Sequence, residues 1–269
     1  MDLKQVATGL LAEIKSSAPL IHNITNYVVM NSSANILLAI GASPVMAHCI
    51  SEVEEMTAMA GALVLNIGTL QEDWVEAMLV AARGANAKGI PVILDPVGAG
   101  ATRLRTSTVH KIMTQSRISV LRGNASEILS LADSGVVTKG VDSSVGLSPQ
   151  VISAARELAA EKKCIIAISG QEDCITDGRH VYRIANGHPL MARVTGTGCG
   201  LSAVCGAFCA VAPDELLPAA AAAFGFYGLC GELAAENGDK PGSFQVAFLD
   251  WLYAAGDKEI NGLLKYTFQ

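Results

Sequence analysis

Residues 194–203, Val-Thr-Gly-Thr-Gly-Cys-Gly-Leu-Ser-Ala, run a glycine-rich turn straight into an apolar, helix-compatible stretch. Glycine permits positive φ and close approach of backbone to a ligand. A helix N-terminus directs N–H groups and a partial positive charge at whatever sits there. Gly196, Thr197 and Gly198 are therefore expected to form an anion hole, suited to negative charge that develops during a reaction such as phosphoryl transfer. Cys199 falls in the first turn of this helix. There the dipole is expected to lower its pKa and make it a candidate base or nucleophile.

A second set pairs Asp95, in Leu94-Asp95-Pro96-Val97-Gly98-Ala99-Gly100, with Glu127, in Arg122-Gly123-Asn124-Ala125-Ser126-Glu127. Mg²⁺ keeps several waters and takes one or two carboxylates plus phosphate oxygens, so these two suffice. Glu127 also completes a capping box begun at Asn124, and a helix start near phosphates can serve both ends. Arg122, at a strand end, reads as a contact to a nucleotide phosphate. Two standard phosphate loops do not fit. No Gly-Lys-Ser or Gly-Lys-Thr exists for a Walker loop, and Gly196-Thr197-Gly198 has Leu201 where a dinucleotide turn needs its third glycine.

The elements that must position these groups follow from hydrophobic patterning. Short apolar runs at 43–47, 62–66, 90–95, 118–122 and 164–169 are continuous rather than alternating, as in parallel strands covered on both faces. Helical segments at 71–88, 106–115 and 149–162 lie between them. The pattern predicts a mostly parallel sheet with helices on both faces. Runs 180–184 and 189–194 flank Asn186-Gly187 and predict a hairpin; a helical block follows from about 198, broken near Pro213 and Pro241-Gly242. One domain, 1–269, is expected, without a separate lid. Four strand ends carry a polar residue beside a turn: Asn66, Asp95, Arg122 and Ser169. In open parallel sheets ligands bind outside the carboxyl ends of the strands, so these four are expected on one rim.

Composition bounds the rest. The chain of 269 residues is 51 % apolar and 16 % charged, with a net charge of −6. That excludes intrinsic disorder and argues against general nucleic-acid binding, which needs a basic surface. The most apolar stretches, 200–213 and 216–231, are Ala- and Gly-rich and interrupted by Pro213, Asp214, Glu215 and Pro218. They read as buried helices or a subunit interface rather than membrane spans. The charged start is not expected to act as a secretory signal, and seven cysteines without a Cys-x-x-Cys fit a reducing compartment. A cytoplasmic location is expected. The five histidines show no metal spacing.

Taken together, several motifs resemble the hydroxyethylthiazole kinase family, thiamine-salvage enzymes of the ribokinase-like superfamily. They are Pro19-Leu20-Ile21-His22-Asn23-Ile24-Thr25-Asn26, Gly41-Ala42-Ser43-Pro44-Val45-Met46, Leu65-Asn66-Ile67-Gly68-Thr69-Leu70, Leu94-Asp95-Pro96-Val97-Gly98-Ala99, Arg122-Gly123-Asn124-Ala125-Ser126-Glu127, Lys139-Gly140-Val141-Asp142 and Gly196-Thr197-Gly198-Cys199. The first and the Asp-Pro-Val-Gly-Ala run discriminate best. The resemblance covers nearly the whole chain. It implies transfer of the γ-phosphoryl group of ATP to the primary alcohol of 4-methyl-5-(2-hydroxyethyl)thiazole, with Mg²⁺, on a ribokinase-like α/β fold.

Carried over by position, Arg122, Ser169 and Asn124 are implied for ATP, and Met46, Asn26 and the Gly196 backbone for the thiazole. Asp95 and Glu127 are implied for the metal, and Cys199 stands where most of the superfamily has an aspartate base. The family also implies a homotrimer whose active sites are completed by neighbouring subunits. One departure stands out: where the family commonly reads Gly-Glu-x-Asp, this chain has Gly170-Gln171-Glu172-Asp173, and Gln171 and Glu172 receive no site role. Alternatives from the residues are a kinase of hydroxymethylpyrimidine or another small alcohol, an ATP-dependent dehydratase of the same fold, and a non-catalytic nucleotide-binding module.

Overall fold

A computed structural model describes residues 2–132 and 147–269; the motif Lys139-Gly140-Val141-Asp142 lies outside the described residues. Its spine is a nine-stranded sheet in the order β2-β1-β3-β4-β5-β6-β7-β8-β9. The strands are β1 (Leu20–Ile24), β2 (Ser43–Val45), β3 (Ala62–Asn66), β4 (Val92–Asp95), β5 (Val120–Asn124), β6 (Ile165–Ser169), β7 (Asp173–Thr176), β8 (Val181–Ile184) and β9 (Tyr266–Phe268). From β2 across to β6 all pairings are parallel, and β7, β8 and β9 add on antiparallel. The five apolar runs read as strands all form them, and β3 and β4 are buried along their full length. Continuous hydrophobicity is the signature of strands covered on both faces.

One face carries α1 (Leu3–Ser17), α2 (Met30–Ala39), α8 (Thr197–Ala210), α9 (Leu216–Asn237), α10 (Pro241–Ala254) and α11 (Asp257–Leu263). The other carries α3 (Val53–Met59), α4 (Glu72–Lys88), α5 (Arg103–Gln115), α6 (Ala125–Leu129) and α7 (Pro149–Lys162). Local signals set the ends. Gly89, at φ +80, caps α4 in the left-handed conformation. Ser148 caps α7, whose first residue is Pro149, and Thr102 caps α5 by accepting from the Arg105 amide. Helices α8 and α9 are buried nearly all round, as sequence without a polar face requires. Helix α9 is long and apolar enough to cross a membrane by length and composition alone, but 78 % of its most apolar window is buried inside the protein. It is a core helix.

The predicted hairpin around Asn186-Gly187 is corrected. Residues Pro189–Arg193 form a 3₁₀ turn, not a strand. Proline fits the first turn of a helix because its missing N–H has no partner to lose there, and His188 Nδ1 accepts the Leu190 amide to start the turn. Asn186 instead donates to the Leu263 carbonyl (2.9 Å) and accepts from the Lys265 amide (2.7 Å), tying β8 to the approach to β9. The true hairpin is β7–β8, turning through Gly178 at φ +94. Strands β7 and β9 have no counterpart in the apolar pattern of the sequence, and β1 falls within the motif 19–26 rather than in a predicted strand.

Candidate active site

The four polar residues read as strand ends do meet on one rim, and they touch. Asn66 closes β3, Asp95 closes β4 and Ser169 closes β6, whereas Arg122, read from the sequence as a strand end, lies in the middle of β5 because the strand runs on to Asn124, and it joins the others through its long side chain. Asn66 Nδ2 donates to Asp95 Oδ2 at 2.8 Å. The Arg122 guanidinium lies 3.6 Å from the same oxygen through Nη1 and donates to Ser169 Oγ at 2.7 Å through Nη2. Asp95 is only 1 % exposed and Arg122 6 %. A charged pair this deep is held by further hydrogen bonds rather than by Coulomb attraction alone.

Next to this row, just past β1, lies Asn26. Its Nδ2 donates to Asn66 Oδ1 (2.8 Å) and to Cys199 Sγ (3.6 Å), while its Oδ1 accepts the Val28 amide in a turn leading to α2. A Cβ on Gly68 would stand 2.6 Å from Asn26 Nδ2, so only glycine lets these two loops close on each other. A continuous chain, Cys199–Asn26–Asn66–Asp95–Arg122–Ser169, therefore runs along the carboxyl ends of the strands.

Helix α8 enters this row end-on. Gly196, at φ +88, is its N-cap, and the first backward bond runs from the Gly200 amide to the Gly196 carbonyl at 2.8 Å. The amides of Thr197, Gly198 and Cys199 precede that bond and so have no acceptor within the helix. The helix start expected at Gly196 is thus present. The Thr197 hydroxyl takes no part in the predicted anion hole, because it donates to the Met191 and Val194 carbonyls.

Cys199 departs from expectation. Burial, reinforced by the Asp95 carboxylate, pushes its thiol up to about 11, against the opposing pull of Asn66, Arg122 and Asn26. The helix dipole does not produce a resting thiolate; desolvation beside a carboxylate outweighs it. Asp95 is itself raised, first by burial and further by Glu127, while Arg122, Ser202 and Asn66 pull the other way.

Glu127 fastens two loops. Its Oε1 accepts the Gly98 amide and its Oε2 the Asn124 amide, both at 2.8 Å, and the Asn124–Glu127 capping box is present as read. Glu127 is near enough to Asp95 to raise it, so two carboxylates lie close together on this rim. That donor set fits Mg²⁺ bound jointly with phosphate oxygens and water. Among the described residues no group of three or more His, Cys, Asp or Glu could hold a metal unaided.

A cavity of about 490 Å³ opens beside the row, lined by Arg122, Ser169, Gly170, Asp173, Thr197 and Gly198 among others. Asn124 and Met46 do not line it. Asn124 is exposed and its Oδ1 is occupied as the cap of α6. Met46 is half-buried just beyond β2, on the same rim but two strands from Asn66. A larger groove of about 820 Å³ between α4 and α5 holds none of the sequence-based candidates.

Three participants were not among those candidates. Ser202 Oγ donates to Asp95 Oδ2 at 2.7 Å from inside α8. It sits three residues after Cys199, hence on the same helix face, and that spacing was the available signal. Arg105 donates to the Ile67, Val97 and Gly68 carbonyls and so binds the loops after β3 and β4 together. Asp173 opens β7 and accepts the Gly170 amide.

Comparison with known proteins adds independent findings. A family model described as "Hydroxyethylthiazole kinase family" matches residues 11–257. A protein named hydroxyethylthiazole kinase from Desulfotalea psychrophila is 54 % identical over 97 % of this chain and 94 % of its own. Another of that name from Methanocella arvoryzae is 47 % identical over the full length of both. The solved structure of hydroxyethylthiazole kinase from Pyrococcus horikoshii superposes with a TM-score of 0.90 at 40 % identity, covering 98 % of this chain and 99 % of that one. A Staphylococcus aureus pyridoxal kinase, at 15 % identity and a TM-score of 0.60 over 93 % of this chain and 98 % of that one, shares the fold alone.

Proposed function

The chain belongs to the hydroxyethylthiazole kinase family, and from that premise we infer that it transfers the γ-phosphoryl group of ATP to the primary alcohol of 4-methyl-5-(2-hydroxyethyl)thiazole. The observation that carries this reading is the row of hydrogen-bonded polar side chains meeting the N-terminus of α8. ATP is assigned to the cavity, with Arg122 and Ser169 on its phosphates. The acceptor alcohol is assigned to the Asn26–Cys199 end of the row, with Met46 on the outer side. The whole chain is taken to work as one domain.

Phosphoryl transfer passes through a loose transition state, so positioning and charge neutralisation dominate. The amides of Thr197, Gly198 and Cys199 and the Arg122 guanidinium supply preorganised positive potential where charge accumulates. Asn66 and Ser202 hold Asp95 in one orientation, which keeps Arg122 aimed between the carboxylate and the incoming phosphates. Asp95 and Glu127 would hold Mg²⁺, which when bound with ATP neutralises phosphate charge. Cys199 works as a neutral thiol, because its raised affinity for the proton keeps it protonated at neutral pH. It shapes the acceptor site and leaves the alcohol proton to depart late, toward phosphate or solvent.

The chain is further read as a cytoplasmic homotrimer with active sites completed across subunits. All seven cysteines are free, which suits a reducing compartment, and Tyr27 and Val28 expose apolar surface beside Asn26, where a neighbour could close the acceptor site. The test is an ATP-consumption assay with the thiazole, hydroxymethylpyrimidine and other small alcohols, with the product identified by mass spectrometry. A thiazole phosphate is expected. ATP turnover without a phosphorylated acceptor would favour a dehydratase, and no turnover with the thiazole would overturn the assignment.

A further inference from the structure

Asp173 is a buried carboxyl to which the proposed phosphoryl transfer gives no role. It is 7 % exposed, lines the cavity beside Arg122 and Ser169, and accepts the Gly170 amide through Oδ1 at 2.9 Å. The turn it closes, 170–173, forms part of the cavity wall. Burial lifts this carboxyl to about 7; the Gly170 amide and Arg122 oppose that, and Glu172 adds to it. Among the described residues, the other charged and titratable groups around it have other engagements. Glu172 is ion-paired with Arg183 on β8, Tyr227 of α9 donates to the Thr197 carbonyl, and His188, which also lines the cavity, accepts the Leu190 amide through Nδ1. Among the described residues Arg122 is thus the cation that acts on Asp173, and it is already shared with Asp95. Its Nε is buried and without a hydrogen-bond partner.

We propose that Asp173 is a positioning residue of the nucleotide site that takes up a proton from solvent when a nucleotide's phosphates bind, so that its charge state sets nucleotide affinity. The inference rests on placing ATP in the Arg122 cavity. Phosphates arriving there draw on the guanidinium that stabilises the Asp173 carboxylate and add negative charge to the same wall. Both effects favour the neutral acid. One O–H bond forms, its proton comes from the buffer, and the bond from the Gly170 amide is available to either form. The turn therefore keeps its shape while the wall loses its charge.

The sign follows from linkage. A site that binds anions better when Asp173 is neutral must bind them less well as pH rises through the carboxyl's own range near 7. A group titrating at that point would weaken affinity about five-fold between pH 7 and pH 8. The experiment is calorimetric titration of the full-length protein with Mg-ADP at pH 7 and pH 8. It is repeated at pH 8 in buffers of different ionisation enthalpy, where the phosphates of ADP are already ionised. The wild type is expected to take up close to one proton per ADP at pH 8. Asp173→Asn retains an acceptor for Gly170 but no charge, and is expected to show less than a two-fold change in affinity and little uptake.

Equal uptake and equal pH slope in both proteins overturn the proposal and leave the nucleotide site standing; this is also the result if His188 takes the proton. No binding of ADP by the wild type overturns the nucleotide placement itself, and this inference with it. Should the variant fold poorly, infrared difference spectra of the wild type with isotope-labelled aspartate decide. A protonated-carboxyl band gained on adding ADP supports the proposal, and its absence refutes it.

Discussion

Replacing Arg122 by alanine removes the cation of a buried pair and leaves Asp95 behind. Asp95 is 1 % exposed and, among the described residues, retains only the neutral donors Asn66 Nδ2 and Ser202 Oγ. Breaking such a pair from one side costs about 3–5 kcal/mol, because a charge stays buried without compensation. The carboxyl has an escape, which is to bind a proton. At pH 7 that limits the loss to about 4 kcal/mol, the cost of holding neutral a group whose unfolded value lies near 4. Part of this cost is present in the wild type, where Asp95 is already raised. The expected destabilisation is therefore about 2–4 kcal/mol at pH 7.

The sign with pH is definite. An acid whose folded value exceeds its unfolded value loses stability as pH climbs between the two, at about 1.4 kcal/mol per unit. The variant should accordingly be hurt more at pH 8 than at pH 6. Urea unfolding at both pH values measures this, and the double variant Arg122→Ala/Asp95→Asn should recover a large part of the loss. In parallel the KM for ATP should rise, because the guanidinium is assigned to the phosphates. A penalty that does not change with pH and is not relieved by Asp95→Asn would refute the pairing argument, whatever the kinetics showed.

Gly196→Ala places a Cβ 3.0 Å from Ser32 Oγ at a residue with φ +88. Backbone strain of about 1–3 kcal/mol and a reduced kcat are expected, read by thermal unfolding and steady-state assay. Cys199→Ser should leave the pH–rate profile unchanged below pH 9, since the thiol is neutral there; a lost ionisation in that range would restore the thiolate mechanism. Glu127→Gln keeps a carbonyl acceptor for one of its two amides but loses charge. It should raise the Mg²⁺ concentration needed for half-maximal turnover more than the KM for the thiazole, and a uniform effect on both would assign Glu127 to loop anchoring alone.

Much of this was legible in the chain. Continuous apolar runs marked five of the parallel strands, because a strand buried on both faces has no polar side to alternate with. The polar residues ending those runs, Asn66, Asp95, Arg122 and Ser169, were expected to share a rim, and a parallel sheet brings them there by topology alone. The glycine-rich turn at 194–200 announced a helix start, and α8 begins there. Sequence failed where the deciding partner was remote. Asn186-Gly187 looked like a hairpin until Asn186 was found bound near the C-terminus, 77 and 79 residues away.

The chain's own sequence thus determined which residue types arrive at the rim, and the family to which they belong. The tertiary structure alone decided their state. Cys199 is a neutral thiol because Asp95 and the buried wall around it come from other strands and helices. Ser202 and Asp173 matter because folding sets them against partners far along the chain. Desolvation and pairing energies depend on three-dimensional neighbours, and no local pattern of residues encodes them.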